Sequence, residues 1–266
     1  MSRRWPDTLW IVRHGQSSGN VARDAATAAG LSMIDIAERD VDVPLSALGQ
    51  EQARALGTWY GTKPDAERPT TVLCSPYHRA VQTAALIRES GGIGSRSRQH
   101  LDERLREREF GVLDRLTSAG IRQSFPDQAE SRARIGKFYH RPPGGESWCD
   151  VILRLRSVLD SISLHHSSPG SRVLIVAHQV VVLCFRYLIE EMTEHEILEI
   201  DRVEDVANCG VTEYRREVTP VGSTGAAGVD SVDSGRLRLV TYNFVAPLER
   251  QGTPVTASPD AAVAPR

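Results

Sequence analysis

The 266-residue sequence predicts an α/β fold: a doubly wound, mostly parallel central sheet with helices on both faces. Two observations predict it. Short apolar, β-rich runs alternate along the chain with stretches of helical period, the pattern of strands joined by right-handed crossovers. Three of these runs end in Arg13-His14-Gly15, in Cys74-Ser75-Pro76 and in Ala177-His178-Gln179. Parallel strands bring their carboxyl ends to one edge, and open α/β sheets bind ligands at that edge.

Residues 8–12 read as the first strand, with Leu9-Trp10-Ile11-Val12 as its apolar run. Ser46 reads as the N-cap of a helix over 46–60 that puts Ala53, Leu56 and Tyr60 on one face. Thr71–Cys74 is a second short strand, followed by a helix over 78–90 that stops at Gly91-Gly92. The clearest helix spans 146–165. Its Trp148, Val151, Ile152, Leu155, Val158, Leu159 and Ile162 keep the i, i+3, i+4, i+7 spacing of a core-facing stripe. A buried strand over 173–177 leads into a helix over 180–189, and Thr193 with Glu196 makes a capping box for one more.

Residues 211–215 and Arg236–Phe244 read as late strands, separated by a Gly-, Ser- and Ala-rich flexible loop over 222–235. From Gly252 the chain is rich in Pro, Ala and Thr with no apolar period. One domain over 1–246 is therefore expected, with a disordered tail over 247–266. Insertions over 22–41 and 111–145 are placed to cover a pocket. The basic run Arg132, Arg134, Lys137, Arg141 reads as a solvated helix face, and His100, His165 and His166 as surface residues.

A formal charge of −2 gives no electrostatic reason to expect nucleic acid or an anionic membrane, so any affinity for anions must be local. The most apolar stretch, 173–189, is broken by His178, Gln179 and Arg186 and is not a membrane span. The basic start is followed by Asp7 with no apolar signal core. Cys74, Cys149, Cys184 and Cys209 lack metal-ligand spacing and read as buried thiols in a reducing cytoplasm.

Two His, two Arg and a Glu would converge at the sheet edge: His14, His178, Arg13, Arg79 and one carboxylate from Leu105-Arg106-Glu107-Arg108-Glu109-Phe110-Gly111. Glu103 and Glu109 compete with Glu107, and its spacing from Leu105 and Gly111 favours Glu107. A neutral imidazole can attack phosphorus in line, and guanidinium groups can offset the charge of the equatorial oxygens. A protonated carboxyl can serve the leaving alcohol and then activate water. That chemistry requires neither metal nor cofactor. Asn20 also fits a helix cap.

These stretches resemble the histidine phosphatase superfamily, which includes cofactor-dependent phosphoglycerate mutases and fructose-2,6-bisphosphatase. The resemblance runs from Leu9 to Arg215. It rests on Arg13-His14-Gly15-Gln16-Ser17 with Asn20, and on Pro44-Leu45-Ser46 with Gly49 and Gln52-Ala53. Ser75-Pro76 with Arg79-Ala80 and Thr83, Leu105-Arg106-Glu107, Gly144-Gly145-Glu146-Ser147 and His178 complete it. It implies His14 as nucleophile, Glu107 as acid and base, and Arg13, Arg79 and His178 as phosphate ligands. By the same resemblance Ser17, Asn20, Gln179 and Arg141 are the expected substrate and phosphate contacts.

The sequence departs from both named branches. Mutases read Glu-Arg-His-Tyr-Gly around the acid, where this chain has Glu107-Arg108-Glu109-Phe110-Gly111, and Gly-Asn after the second histidine, where it has Gln179-Val180. The stretch from Lys137 to Pro143 resembles the bisphosphatase lid. That enzyme, however, carries an arginine at the place of Leu183, tyrosines at those of His140 and Pro142, and an attached kinase domain. The expected activity is a metal-independent phosphatase for a small phosphorylated metabolite. A phosphoglycerate mutase and a non-catalytic phosphosite-binding module are the alternatives, and a homodimer is left open.

Overall fold

The computed structural model describes residues 4–217 and 235–258. Six strands form one sheet in the order β3-β2-β4-β1-β5-β6: β1 (Thr8–Arg13), β2 (Thr71–Cys74), β3 (Arg98–Leu101), β4 (Arg172–Ala177), β5 (Val211–Glu217) and β6 (Arg236–Phe244). β3, β2, β4 and β1 run parallel, as predicted, and β5 and β6 add an antiparallel edge. The nine helices among the described residues are α1 (Ser18–Ala28), α2 (Ala47–Gly61), α3 (His78–Glu89), α4 (Ser118–Ser124), α5 (Pro126–Ile135), α6 (Trp148–His165), α7 (Gln179–Ile189), α8 (Glu194–Val203) and α9 (Ala246–Glu249).

The strand pleat sorts the core into two layers. Leu9 and Ile11 of β1, with Val173 and Ile175 of β4, pack beneath α6 and α7, whose apolar stripes include Trp148, Leu155 and Phe185. Trp10 and Val12, with Leu174 and Val176, pack on the opposite face against Leu56 and Tyr60 of α2 and Ile87 of α3. Near-continuous burial of β1, β2 and β4 is what a parallel sheet covered on both faces requires.

Local signals explain most helix starts. Ser46 accepts from the Gly49 amide at 3.0 Å, and Thr193 and Glu196 close the expected capping box. The long helix begins at Trp148 rather than 146 because Ser147 and Asp150 form a capping box of their own. α4 and α9 are additions to the sequence reading, which gave no bounds for α1, α5 or β3. All four residues of β3 are exposed, so it carries no apolar run.

Two expectations are corrected. The chain from 247 to 258 is anchored to the domain rather than disordered. Leu248 is fully buried among the α2 and α3 side chains, and the Gln52 amide donates to Pro254 O and Thr256 Oγ1, each at 2.9 Å. An extended segment held through its own polar groups needs no apolar period. The basic run is not a uniform solvated face either: Arg132 is buried and Lys137 pairs with Asp201 at 2.6 Å. Residues 222–234 of the expected flexible loop, and 259–266, lie outside the described residues. Among the described residues no helix is long and apolar enough to cross a membrane.

Gly15 and Gly49 bring the loop after β1 against the first turn of α2. A Cβ on Gly49 would stand 1.9 Å from Gln16 O, and one on Gly15 would stand 2.4 Å from Gly49 O. Backbone on both sides leaves nothing to rotate away. Gly49→Ala is expected to destabilise the fold by about 2–3 kcal/mol in urea unfolding; an unchanged midpoint would show that the two loops can separate without loss.

Candidate active site

β1 and β4 end level with one another, and β2 ends one register position earlier. Arg13 pairs with Ala177 and Cys74 with Val176, and the ladder continues through His14 N to Ala177 O at 2.9 Å and Ser75 N to Val176 O at 3.0 Å. His14, Ser75 and His178 therefore leave the sheet side by side. α1, α3 and α7 begin at this edge, with Ser17, Tyr77 and His178 as their N-cap residues. Helix N-termini carry unsatisfied N–H groups and positive dipole ends, which favour a bound anion. The cleft above them encloses about 780 Å³, its open mouth included.

The His14 ring is 3% exposed and its tautomer is fixed by geometry. Nδ1 lies 2.7 Å from Gly15 O, and since a carbonyl can only accept, Nδ1 carries the hydrogen. Nε2 then holds a lone pair, toward which Arg79 Nε donates at 3.3 Å. Burial, reinforced by the Arg79 and Arg13 charges, holds the His14 pKa well below the usual 6.5, so the ring is neutral at pH 7. His14 O accepts from Asn208 Nδ2 at 3.0 Å, and Gly15 N donates to Thr83 Oγ1 at 3.1 Å.

Arg13 is buried, donates to Val206 O, and is lowered by that burial to about 10, which leaves it protonated at neutral pH. His178 is fully buried; its Nε2 lies 2.8 Å from Ser75 Oγ and its Nδ1 3.9 Å from Glu107 Oε2. Burial, followed by Arg79 and His14, keeps this second ring neutral as well. The two imidazoles meet edge to face with centroids 5.1 Å apart.

Of the three competing carboxylates, Glu107 is the one that lines the cleft. Glu103 is exposed, and Glu109 is occupied by the Tyr77 hydroxyl at 2.8 Å. The loop carrying Glu107 is braced from α6: Arg154 donates to Arg104 O and Glu107 O and forks onto Glu146 at 3.0 and 3.1 Å. Arg106 adds a bond of 2.6 Å to Glu146, whose Oε2 also accepts from the Glu109 amide.

Ser17, Asn20 and Gln179 line the cleft as expected. Asn20 does so as the N3 residue of a capping box whose N-cap is Ser17, rather than as the cap itself. Arg141 is not brought to the cleft: it donates to Gly145 O and lies 3.5 Å from Asp150 on an exposed turn. Sequence reasoning missed Arg23, one helical turn beyond Asn20, and the lining residues Ile34, Ile36, Asp40, Phe110, Arg115 and Ser258. Helical spacing from Asn20 could have found Arg23. Ile34, Ile36, Asp40 and Arg115 fall in the insertions expected to cover the pocket, but nothing local singles out these positions, which depend on loops crossing from elsewhere.

Both neutral rings set a pH dependence of stability. The unfolded chain takes up protons near pH 6.5 that the native rings refuse until lower pH, so stability falls as pH falls below 6.5. The limiting slope is about 1.4 kcal/mol per pH unit for each ring. Urea unfolding at pH 7.5, 6.5 and 5.5 should show this loss, and His178→Gln should reduce the slope by about one proton. Equal slopes would mean that the rings are not held neutral.

A family model described as the histidine phosphatase superfamily (branch 1) matches residues 9–219. The chain is 31% identical over 180 residues to 6-phosphofructo-2-kinase/fructose-2,6-bisphosphatase of Caenorhabditis elegans, covering 67% of this chain and 33% of that one. It thus spans about a third of that relative's length. It is 32% identical over 193 residues to 2,3-bisphosphoglycerate-dependent phosphoglycerate mutase of Methylobacterium radiotolerans, covering 72% and 83% of the two chains. A solved mycobacterial glucosyl-3-phosphoglycerate phosphatase complexed with VO3 shares the fold, with a TM-score of 0.64, 24% identity, and 90% and 99% coverage. The chain belongs to branch 1 of the histidine phosphatase superfamily.

Proposed function

We propose that this protein is a metal-independent phosphatase that hydrolyses small phosphomonoesters through a phosphohistidine on His14. The observation that carries the reading is the fixed tautomer of His14. With its hydrogen held on Nδ1 by Gly15 O, the ring presents Nε2 as a nucleophile at neutral pH, beside a guanidinium able to take phosphoryl oxygens.

Two displacements follow. In the first, Nε2 attacks phosphorus, the bond to the leaving alcohol breaks, and Glu107 gives that oxygen a proton. The positive charge on the phosphorylated ring is met by the Gly15 carbonyl at Nδ1. In the second, Glu107 accepts a proton from water as its oxygen attacks phosphorus, the N–P bond breaks, and orthophosphate leaves with His14 restored. Arg13, Arg79, His178 and the helix N-termini offset charge on the equatorial oxygens in both steps.

Hydrolysis is favoured over phosphoryl return by the departures at Glu109 and Gln179-Val180 from the mutase pattern. The relationship to a phosphoglycerate mutase supports the second reading, in which the same intermediate hands the phosphoryl group back to the substrate. Incubation with 3-phosphoglycerate and a trace of bisphosphate separates the two. Free phosphate is expected, and rapid interconversion with little phosphate would establish the mutase instead.

His14→Ala should retain the thermal midpoint to within a few degrees while aryl phosphate turnover falls below about a thousandth of the original. Higher residual turnover would rule out covalent catalysis at this ring. Glu107→Gln should slow alkyl phosphates about a hundredfold or more and 4-nitrophenyl phosphate far less, since the latter's leaving group needs no proton. Equal losses on both substrates would remove Glu107 from the proton-donor role.

A further inference from the structure

The outward face of Arg79 is already taken by a carboxylate from the insertion over 22–41. Arg79 Nη1 lies 3.0 Å from Asp40 Oδ1 and Nη2 lies 3.3 Å from Oδ2, while Nη1 also donates to Asp40 O at 2.5 Å. Its Nε is directed at His14. Three N–H groups of the guanidinium thus donate to protein acceptors, and Asp40 Oδ1 adds an ion-pair contact at Nη1. A phosphoryl group attacked by His14 Nε2 needs that same fork, because two parallel N–H···O bonds are how arginine holds phosphate.

Asp40 is held in place rather than drifting past. The insertion is laced to the loop after Phe110: Arg115 donates to Ile36 O at 3.0 Å and Glu38 O at 2.8 Å, and Ile34 N donates to Arg115 O at 2.8 Å. Met33 also bridges to Leu116. A tethered carboxylate competes for its partner at high effective concentration. Asp40 is nevertheless 44% exposed, so it can swing into water when displaced.

We propose that Asp40 is an internal competitor of the phosphoryl group, occupying the Arg79 fork in the empty site and giving it up when a phosphomonoester binds. The proposal rests on the reading of Arg79 as a phosphate ligand. Asp40 then sets affinity for the phosphoryl group and speeds departure of orthophosphate by reclaiming the fork.

The test is calorimetric titration of inorganic phosphate and of orthovanadate into the whole chain at fixed ionic strength. Asp40→Asn and Asp40→Ala should each bind both anions about tenfold more tightly than the native chain. Asp42→Asn removes a neighbouring acid that pairs with Arg39 instead, at 2.6 Å, and should leave affinity within about twofold. Unchanged or weaker binding in the two Asp40 variants would overturn the proposal, since it would make Asp40 a residue that merely positions Arg79. Equal tightening by Asp42→Asn would overturn it too, by reducing the effect to general surface charge. Arg79→Met distinguishes the two levels of failure. If it binds phosphate like the native chain, the phosphate-ligand reading falls. If it loses phosphate while the Asp40 variants match the native chain, only the competitor role falls.

Discussion

The parallel register of β2, β4 and β1 is the constraint on which the rest of the site depends. Because Cys74 lies opposite Val176 and Arg13 opposite Ala177, three chains reach the same edge within one residue of one another, and the ladder carries on one residue beyond each pairing. A one-residue slip of β1 against β4 would turn Leu9 and Ile11 toward the wrong helix layer, so burial on both faces enforces the register. The hydrophobic core thereby sets the distance between two histidines that are 164 positions apart in the sequence.

Burying two arginines and two imidazoles together is electrostatically unfavourable unless some of the charge is given up. The rings give theirs up. His14 and His178 stay neutral, which leaves His14 Nε2 with a lone pair. Acceptors are built around the two arginines: Val206 O for Arg13, and Asp40 together with His14 Nε2 for Arg79. The site is thus preorganised for an anion, and in the Arg79 fork a side-chain anion already stands there.

Glu107 illustrates a different kind of dependence. Its loop contains no regular element beyond the 3₁₀ turns Glu103–Leu105 and Gly111–Leu113, and its place is set by Glu146 and Arg154, which reach it from before and within α6. The Gly144-Gly145-Glu146-Ser147 stretch serves both ends of that arrangement. Glu146 forms the ion pairs that fix the loop, and Ser147 caps the helix that presents Arg154.

How much was legible in the sequence follows from the range of the forces involved. Strand and helix identities follow from periodicity and capping, which act over a few residues: the stripe from Trp148 to Ile162 and the box of Thr193 with Glu196 are examples. His14, Arg79 and His178 were readable because each sits at a strand end or first helical turn, where local pattern fixes position. Arg141 was misplaced because a resemblance in a lid says nothing about which way an exposed side chain turns. The segment over 247–258 was missed because its anchors, Gln52 and Asn208, lie far away in sequence. By itself the sequence determined the layers, the residue types of the candidate site and the edge at which they gather. Only the tertiary structure decided which carboxylate faces the cleft, which nitrogen of His14 bears the hydrogen, and that Asp40 occupies Arg79. Each of those depends on a carbonyl or carboxylate delivered by a separate loop, and no local pattern records where such a loop will cross.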